Sequence, residues 1–301
     1  MIEIQNISKS FDTIKAVNHI NLTIADEAVF GLVGTNGAGK STLLRMLTGV
    51  LRPDDGLILI DGMPVYDNKE AKKLMYFIPD EPYFFASSTG KDLGVYLNGV
   101  YPLFDLDSFY QHMKTFELDP HRKISTFSKG MKKQLAIIAG ICSNTKYLIC
   151  DETFDGLDPV MRQGMKSIFA SHIEERGLTP IIASHNLREL EDICDTVGLL
   201  HQGGVLLSKD LVDMKCNIQK IQCVFTTPQA EESFLAQNIP MKVEKRGKLL
   251  TMTVRGTKAT WEEVLHAADT VFYEILPLSL EEIFISETEV VGYDIKKLLL
   301  N

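Results

Sequence analysis

The chain has 301 residues, 45% hydrophobic and 24% charged, which excludes disorder as the default and leaves room for one large domain plus a small one. Its net charge of −9, from 31 basic and 40 acidic side chains, weighs against a nucleic-acid backbone as main partner, local basic groups such as Lys129, Lys132 and Lys133 notwithstanding. No apolar run approaches the ~20 residues that cross a bilayer as a helix. The five cysteines (Cys142, Cys150, Cys194, Cys216, Cys223) show no CxxC pair and no metal-ligand rhythm. Their odd number fits a reducing compartment, and Cys150 reads as a buried thiol.

The opening Met1-Ile2-Glu3-Ile4-Gln5 alternates like a strand and does not resemble a signal peptide, so a cytoplasmic location is expected. Residues 1 to about 66 read mostly as strands: Ile2 and Ile4, Leu22 and Ile24, Val29 to Val33, and Leu57 to Ile60 after a Pro-Asp-Asp-Gly turn. A helix is predicted from Lys40 to about Thr48, with Gly49 as its stop. Residues 88 to 142 look mainly helical. Strands and helices then alternate through Tyr147 to Cys150, Pro159 to Glu175, Pro180 to Ala183, Leu187 to Cys194 and Thr196 to Leu200, which implies a largely parallel α/β sheet with helices on its faces.

Beyond about residue 215 the pattern becomes strand, helix, strand, strand, helix, strand, the order of a split βαβ or ferredoxin-like α+β unit. Its strands are predicted at Ile221 to Phe225, Met241 to Glu244, Leu249 to Val254 and Val271 to Leu276. Thr227-Pro228 offers a helix start, and Thr260 to Glu263 and Ser279 to Glu282 read as capping boxes. Ile295 to Leu300 is a short basic-apolar segment expected to be helical.

Gly34-Thr35-Asn36-Gly37-Ala38-Gly39-Lys40-Ser41, followed by Thr42, fits G-x-x-x-x-G-K-[ST], with an apolar strand entering and an apolar-periodic helix leaving. Glycines let backbone N–H groups wrap phosphate oxygens, and the helix N-terminus adds its positive end. Lys40 is expected to reach the β- and γ-phosphates of ATP, and the Ser41 hydroxyl to ligate Mg²⁺. Asp151 and Glu152 stand directly after a hydrophobic strand, where ligands of parallel sheets gather. Asp151 would hold Mg²⁺, mainly through water, and Glu152 would act as general base on the attacking water. Alone, such an acidic pair is often a solvated turn.

Phe127-Ser128-Lys129-Gly130-Met131, at the start of a helix shortly before that acidic strand, separates this chain from other nucleotide hydrolases. The string resembles the L-S-G-G-Q signature of the ATP-binding-cassette (ABC) family, although by itself it reads as a serine-capped helix. Further marks follow in the family's order. Gly156-Leu157-Asp158-Pro159 resembles the D-loop, with Asp158 at a dimer seam, and Ser184-His185 resembles the switch histidine that contacts the γ-phosphate. Phe11 resembles the aromatic that stacks on adenine, where an isolated aromatic is more often core. Leu280-Glu281-Glu282-Ile283-Phe284 is similar to a string near the end of these ATPases. The pattern is departed from at three places, over five residues: Asp80 stands where glutamine is usual, Lys129 and Met131 replace signature residues, and Thr153-Phe154 replaces Pro-Thr. Asp80 is shorter than glutamine and anionic; in that place the resemblance implies a catalytic position facing the attacking water and a ligand of Mg²⁺.

The resemblance implies a P-loop ATPase core with a mixed β subdomain and a helical subdomain at about 84–142, together spanning 1–214, and an accessory or dimerisation domain at 215–301. It implies a homodimer or cassette pair with ATP and Mg²⁺ at the seam, Ser128 and Gly130 of one copy covering nucleotide held by the other. It also implies an integral membrane permease as partner, and export as the direction. Tyr83, Phe84 and Phe85 are then either core or a groove for that partner. A soluble ABC ATPase in translation, repair or cofactor assembly is the alternative.

Overall fold

The computed structural model describes residues 1–290 apart from 155, 156, 158, 192, 202 and 212–215. Gly156, the expected seam residue Asp158 and the terminal segment Ile295 to Leu300 lie outside the described residues. The chain divides into two compact units, Met1–Ser208 and Lys209–Asn301.

The first unit opens with β1 (Ile2–Phe11), β2 (Ile14–Ile24), β3 (Phe30–Val33), α1 (Lys40–Leu47), β4 (Asp55–Ile60) and β5 (Met63–Pro64). It continues with α2 (Lys69–Lys73), β6 (Met75–Ile78), α3 (Gly90–Val100), α4 (Leu106–Thr115), α5 (Lys129–Cys142) and β7 (Tyr147–Asp151). It ends with α6 (Pro159–Arg176), β8 (Thr179–Ser184), α7 (Leu187–Glu191), β9 (Thr196–His201) and β10 (Gly204–Asp210). A four-stranded antiparallel sheet has the order β2-β1-β4-β5, and a six-stranded sheet has the order β10-β9-β3-β8-β7-β6. In the larger sheet β9, β3, β8, β7 and β6 run parallel to one another.

The residue types explain this arrangement. All residues of β3, β7 and β8 are buried, as parallel strands covered on both faces require, and they carry continuous apolar runs such as Tyr147-Leu148-Ile149-Cys150. The smaller sheet alternates: Ile2 and Ile4 are buried, and Ile20, Leu22 and Ile24 face the same core as Leu43 and Leu47 of α1. Cys150 is buried, and burial pushes its thiol up to about 12.

Local signals fix the helices after β6. Thr89 and Asp92 form a reciprocal capping box at α3, and Asp105 caps α4 by accepting from the Ser108 N–H at 2.9 Å. At the far end of α5, Arg176 of α6 donates to the Ile141 carbonyl at 3.1 Å and, just beyond the helix, to the Thr145 carbonyl at 2.7 Å, tying the two helices together there.

The second unit contains β11 (Ile218–Phe225), α8 (Pro228–Gln237), β12 (Lys242–Arg246), β13 (Leu249–Arg255), α9 (Lys258–His266), β14 (Thr270–Leu276) and α10 (Leu280–Val290). Its sheet order is β12-β13-β11-β14 with every neighbouring pair antiparallel, the split βαβ arrangement expected from the element order. Ile221, Cys223, Met252 and Trp261 centre its core. Thr227 and Ser279 cap their helices as predicted. The expected cap at Thr260 is corrected: Thr257 caps α9 by accepting from the Thr260 N–H, one turn earlier. Gly256, at φ +128°, ends the strand immediately before it, so the chain turns into the helix sooner than Thr260.

Candidate functional site

Strand register creates the site. Val33 pairs with Ser184, Asp151 with Ala183, and Ile78 with Cys150, so β3, β8, β7 and β6 all end at one edge of the sheet. The chain leaves β3 into Gly34, β7 into Glu152, β8 into His185, and β6 through Pro79 into Asp80. Four segments far apart in sequence thus deliver their polar residues to one place, the carboxyl end of parallel strands.

The loop from Gly34 to Gly39 joins β3 to α1. Thr35, Asn36 and Gly37 are exposed, Ala38 and Gly39 are buried against the fold, and Ser41 and Thr42 occupy the first turn of α1 half-buried. Gly39 has φ +101°, and a side chain there would run into the carbonyl oxygen of Ala16. Only glycine fits a backbone both left-handed and so closely approached. α1 has no acidic residue in its first turn and no side-chain cap, so its N–H groups keep their anion-binding capacity.

Lys40 is 5% exposed, and its Nζ donates to the carbonyls of Gly34 at 2.7 Å and Thr35 at 3.3 Å. The same Nζ lies 3.3 Å from Glu152 Oε1, and Glu152 Oε2 lies 2.9 Å from His185 Nδ1. Glu152 itself has φ +48°. A left-handed glutamate is strained, and such strain persists only where the surroundings hold it. Its N–H donates to the Ala183 carbonyl at 2.9 Å, and its own carbonyl accepts from Lys133 Nζ at 2.6 Å.

Asp151 is buried, and its Oδ1 has no hydrogen-bond partner. Burial raises its pKa, the Ser41 hydroxyl opposes this by hydrogen bonding, and the charges of Glu152 and Asp80 add to the rise. An orphaned, buried carboxylate oxygen beside a serine hydroxyl is a pair of hard donors that fits a small divalent cation. Among the described residues no group of three or more His, Cys, Asp and Glu side chains could hold a metal by itself, so phosphate oxygens and water would have to complete the shell.

The remaining predicted positions fall around this centre. Phe11 ends β1 in a hairpin whose other strand carries Ala16 against Gly39; its ring is 47% exposed, with Lys9 Nζ 5.8 Å from the ring centroid. It is no core aromatic. Ser128 caps α5, its Oγ accepting from the Met131 N–H at 3.1 Å; it is exposed, and Gly130 is half-buried in the first turn of the helix. Asp80 pairs with Lys133 at 3.1 Å. Tyr83 and Phe85 are exposed, which overturns the core reading for both, and with Tyr76, Pro79, Pro82 and Tyr96 they line a groove of about 340 Å³. Lys133 was not legible as a site residue. Its only signal is that a basic side chain shares the buried helix face of Ala136 and Ile137.

Among the described residues no helix is long and apolar enough to cross a membrane. Residues 17–155 match the family model described as ABC transporter. The chain is 30% identical over 287 residues to the ABC transporter ATP-binding protein YtrB of Bacillus subtilis, covering 95% of this chain and 98% of that one. It is 31% identical to the bacitracin transport ATP-binding protein BcrA of Bacillus licheniformis, over 68% of each chain. A third relative, the lantibiotic transport ATP-binding protein SrtF of Streptococcus pyogenes, is 32% identical over 70% of this chain and 91% of its own. In fold it is similar to a dimeric ATP-binding cassette in a post-hydrolysis state bound to ADP and Pi, with a TM-score of 0.64 at 20% identity over 70% of this chain and 99% of that one. The chain therefore belongs to the ATP-binding, ATP-hydrolysing subunits of ABC transporters.

Proposed function

We propose that two copies of this chain hydrolyse MgATP at a shared seam and thereby drive a membrane permease that exports its substrate. The observation that carries the reading is the convergence of Lys40 and His185 on the two carboxylate oxygens of Glu152, beside the open N-terminus of α1.

In this proposal the loop N–H groups and Lys40 bind the phosphates of ATP, and Phe11 offers its exposed ring to the adenine. As a γ-phosphate draws Lys40 toward itself, Glu152 loses a paired cation and becomes a stronger base. Its carboxylate then takes a proton from the attacking water, while His185 orients that carboxylate and faces the γ-phosphate. Ser41 and Asp151 would hold Mg²⁺, which when bound neutralises charge on the phosphate oxygens. Ser128 and Gly130 sit at the accessible N-terminus of α5, a second set of donors suited to nucleotide on another copy. The seam role of Asp158 belongs to the same proposal.

The aromatic groove at Tyr83, Phe85 and Tyr96 directly follows Asp80, and we assign it to a cytoplasmic segment of the permease. That places the chain on the inner face of the membrane through its partner, with the second unit widening the contact between copies. Export rests on the bacitracin and lantibiotic transport relatives. The non-transport alternative is disfavoured, since the relative aligned over 95% of the chain carries a transporter name. Co-purification from membranes decides between them: a polytopic membrane protein should accompany the chain, and a soluble non-membrane complex would contradict the proposal.

A further inference from the structure

Lys133 is 1% exposed, yet it carries an ammonium group. A buried cation is tolerated only when paired and hydrogen-bonded. Its two partners are Asp80 Oδ1 at 3.1 Å and the backbone carbonyl of Glu152 at 2.6 Å. With the Glu152 N–H bonded to Ala183, both peptide groups of that left-handed residue are thereby pinned. The direction of the Glu152 side chain follows from its backbone, so whatever holds the carbonyl also aims the carboxylate at Lys40 and His185. Lys133 lies five residues beyond Ser128 on α5, and Asp80 lies just past the end of β6.

We propose that Lys133 is a positioning residue for Glu152 and that Asp80 is chiefly its counter-ion. The inference rests on Glu152 being the general base. It adds that one buried ammonium ties the helix bearing Ser128, the segment after β6 and the reacting carboxylate into a single unit. Asp80 matters here because the buried charge of Lys133 needs it.

The test uses the full-length chain with Lys133→Met, Asp80→Asn, the double variant and Glu152→Gln, measuring kcat, KM for ATP, half-saturating Mg²⁺ and thermal midpoint. Lys133→Met should lower kcat about ten- to a hundredfold, the effect of misplacing a reacting group by about an ångström, with KM within about twofold. Asp80→Asn should lower kcat with half-saturating Mg²⁺ unchanged, and the double variant should be no worse than Lys133→Met. Independent, additive losses, or a raised Mg²⁺ requirement in Asp80→Asn, would overturn the inference. Should Lys133→Met fail to fold, Asp80→Asn decides alone, because its side chain is half-exposed; an unchanged kcat there overturns the proposal. Wild-type kcat in both single variants while Glu152→Gln abolishes turnover removes this inference and leaves the base assignment standing. Full turnover by Glu152→Gln removes both.

Discussion

Glu152 Oε1 lies 3.3 Å from Lys40 Nζ while Oε2 lies 2.9 Å from His185 Nδ1, so a single carboxylate is held between an ammonium and an imidazole. These three residues come from α1 and from the loops after β7 and β8, brought together by the pairing of Val33 with Ser184 and of Asp151 with Ala183. The two contacts have separable consequences. Removing the imidazole by His185→Ala leaves the phosphate loop intact, so it should lower kcat by about 10²–10³, as loss of one preorganised donor does, with ATP affinity within a few fold. Steady-state ATPase assays paired with nucleotide-binding titration check this.

Lys40→Ala should act on binding as well as on turnover. The ammonium is buried and bonded to the carbonyls of Gly34 and Thr35, poised at the loop mouth. Losing a hydrogen bond to a charged group costs about 1.5–3 kcal/mol, roughly a ten- to hundredfold rise in Kd for ATP. A titration giving the wild-type Kd would remove Lys40 from the phosphate site.

Gly39→Ala should abolish nucleotide binding while sparing the second unit. The residue sits at φ +101° with the Ala16 carbonyl in the way, so the added methyl must distort the loop. Trp261 is the single tryptophan of the chain, nearly buried in the second unit with its indole N–H on the Arg255 carbonyl. Its emission maximum is therefore expected to stay at the wild-type wavelength in Gly39→Ala. A shifted maximum would mean the change spreads beyond the loop.

The phosphate loop, the acidic strand end and His185 were readable because each is a short string with a fixed neighbour: strand before, helix or turn after. The second unit was readable as strand-helix-strand-strand-helix-strand because its alternation of Ile221, Cys223 and of Leu250, Met252, Val254 matches its buried face. What stayed hidden arises from contacts between distant segments. Lys133 gains its role only because α5 packs where β6 and β7 end, 53 residues from Asp80 and 19 from Glu152. The cap of α9 was misplaced because Thr257 and Thr260 both offer hydroxyls, and the turn at Gly256 selects the earlier one. Tyr83 and Phe85 are ordinary core residue types, so only their exposure distinguishes a surface groove from packing.

Asp105 gives a stability test with a defined pH sense. Hydrogen bonds from the Ser108 N–H and the Ser108 hydroxyl hold its pKa below the usual 3.8, burial opposing them weakly. A depressed folded-state pKa means the stabilisation is full above the unfolded value and is lost as pH falls through the folded one. Asp105→Ala should therefore cost about 1 kcal/mol at neutral pH, the usual worth of an N-cap, and the gap from wild type should shrink below about pH 4. Denaturant titrations at the two pH values measure it; a gap that widens in acid would contradict the capping role.

The central claim, that each reaction chamber is built from two copies, is tested most directly by the molecular mass of Glu152→Gln with and without MgATP. Light scattering should give a monomer without nucleotide and twice that mass with it, the dimer persisting because bound ATP is not turned over. A single-copy mass at saturating MgATP, with ATP demonstrably bound, would contradict the account.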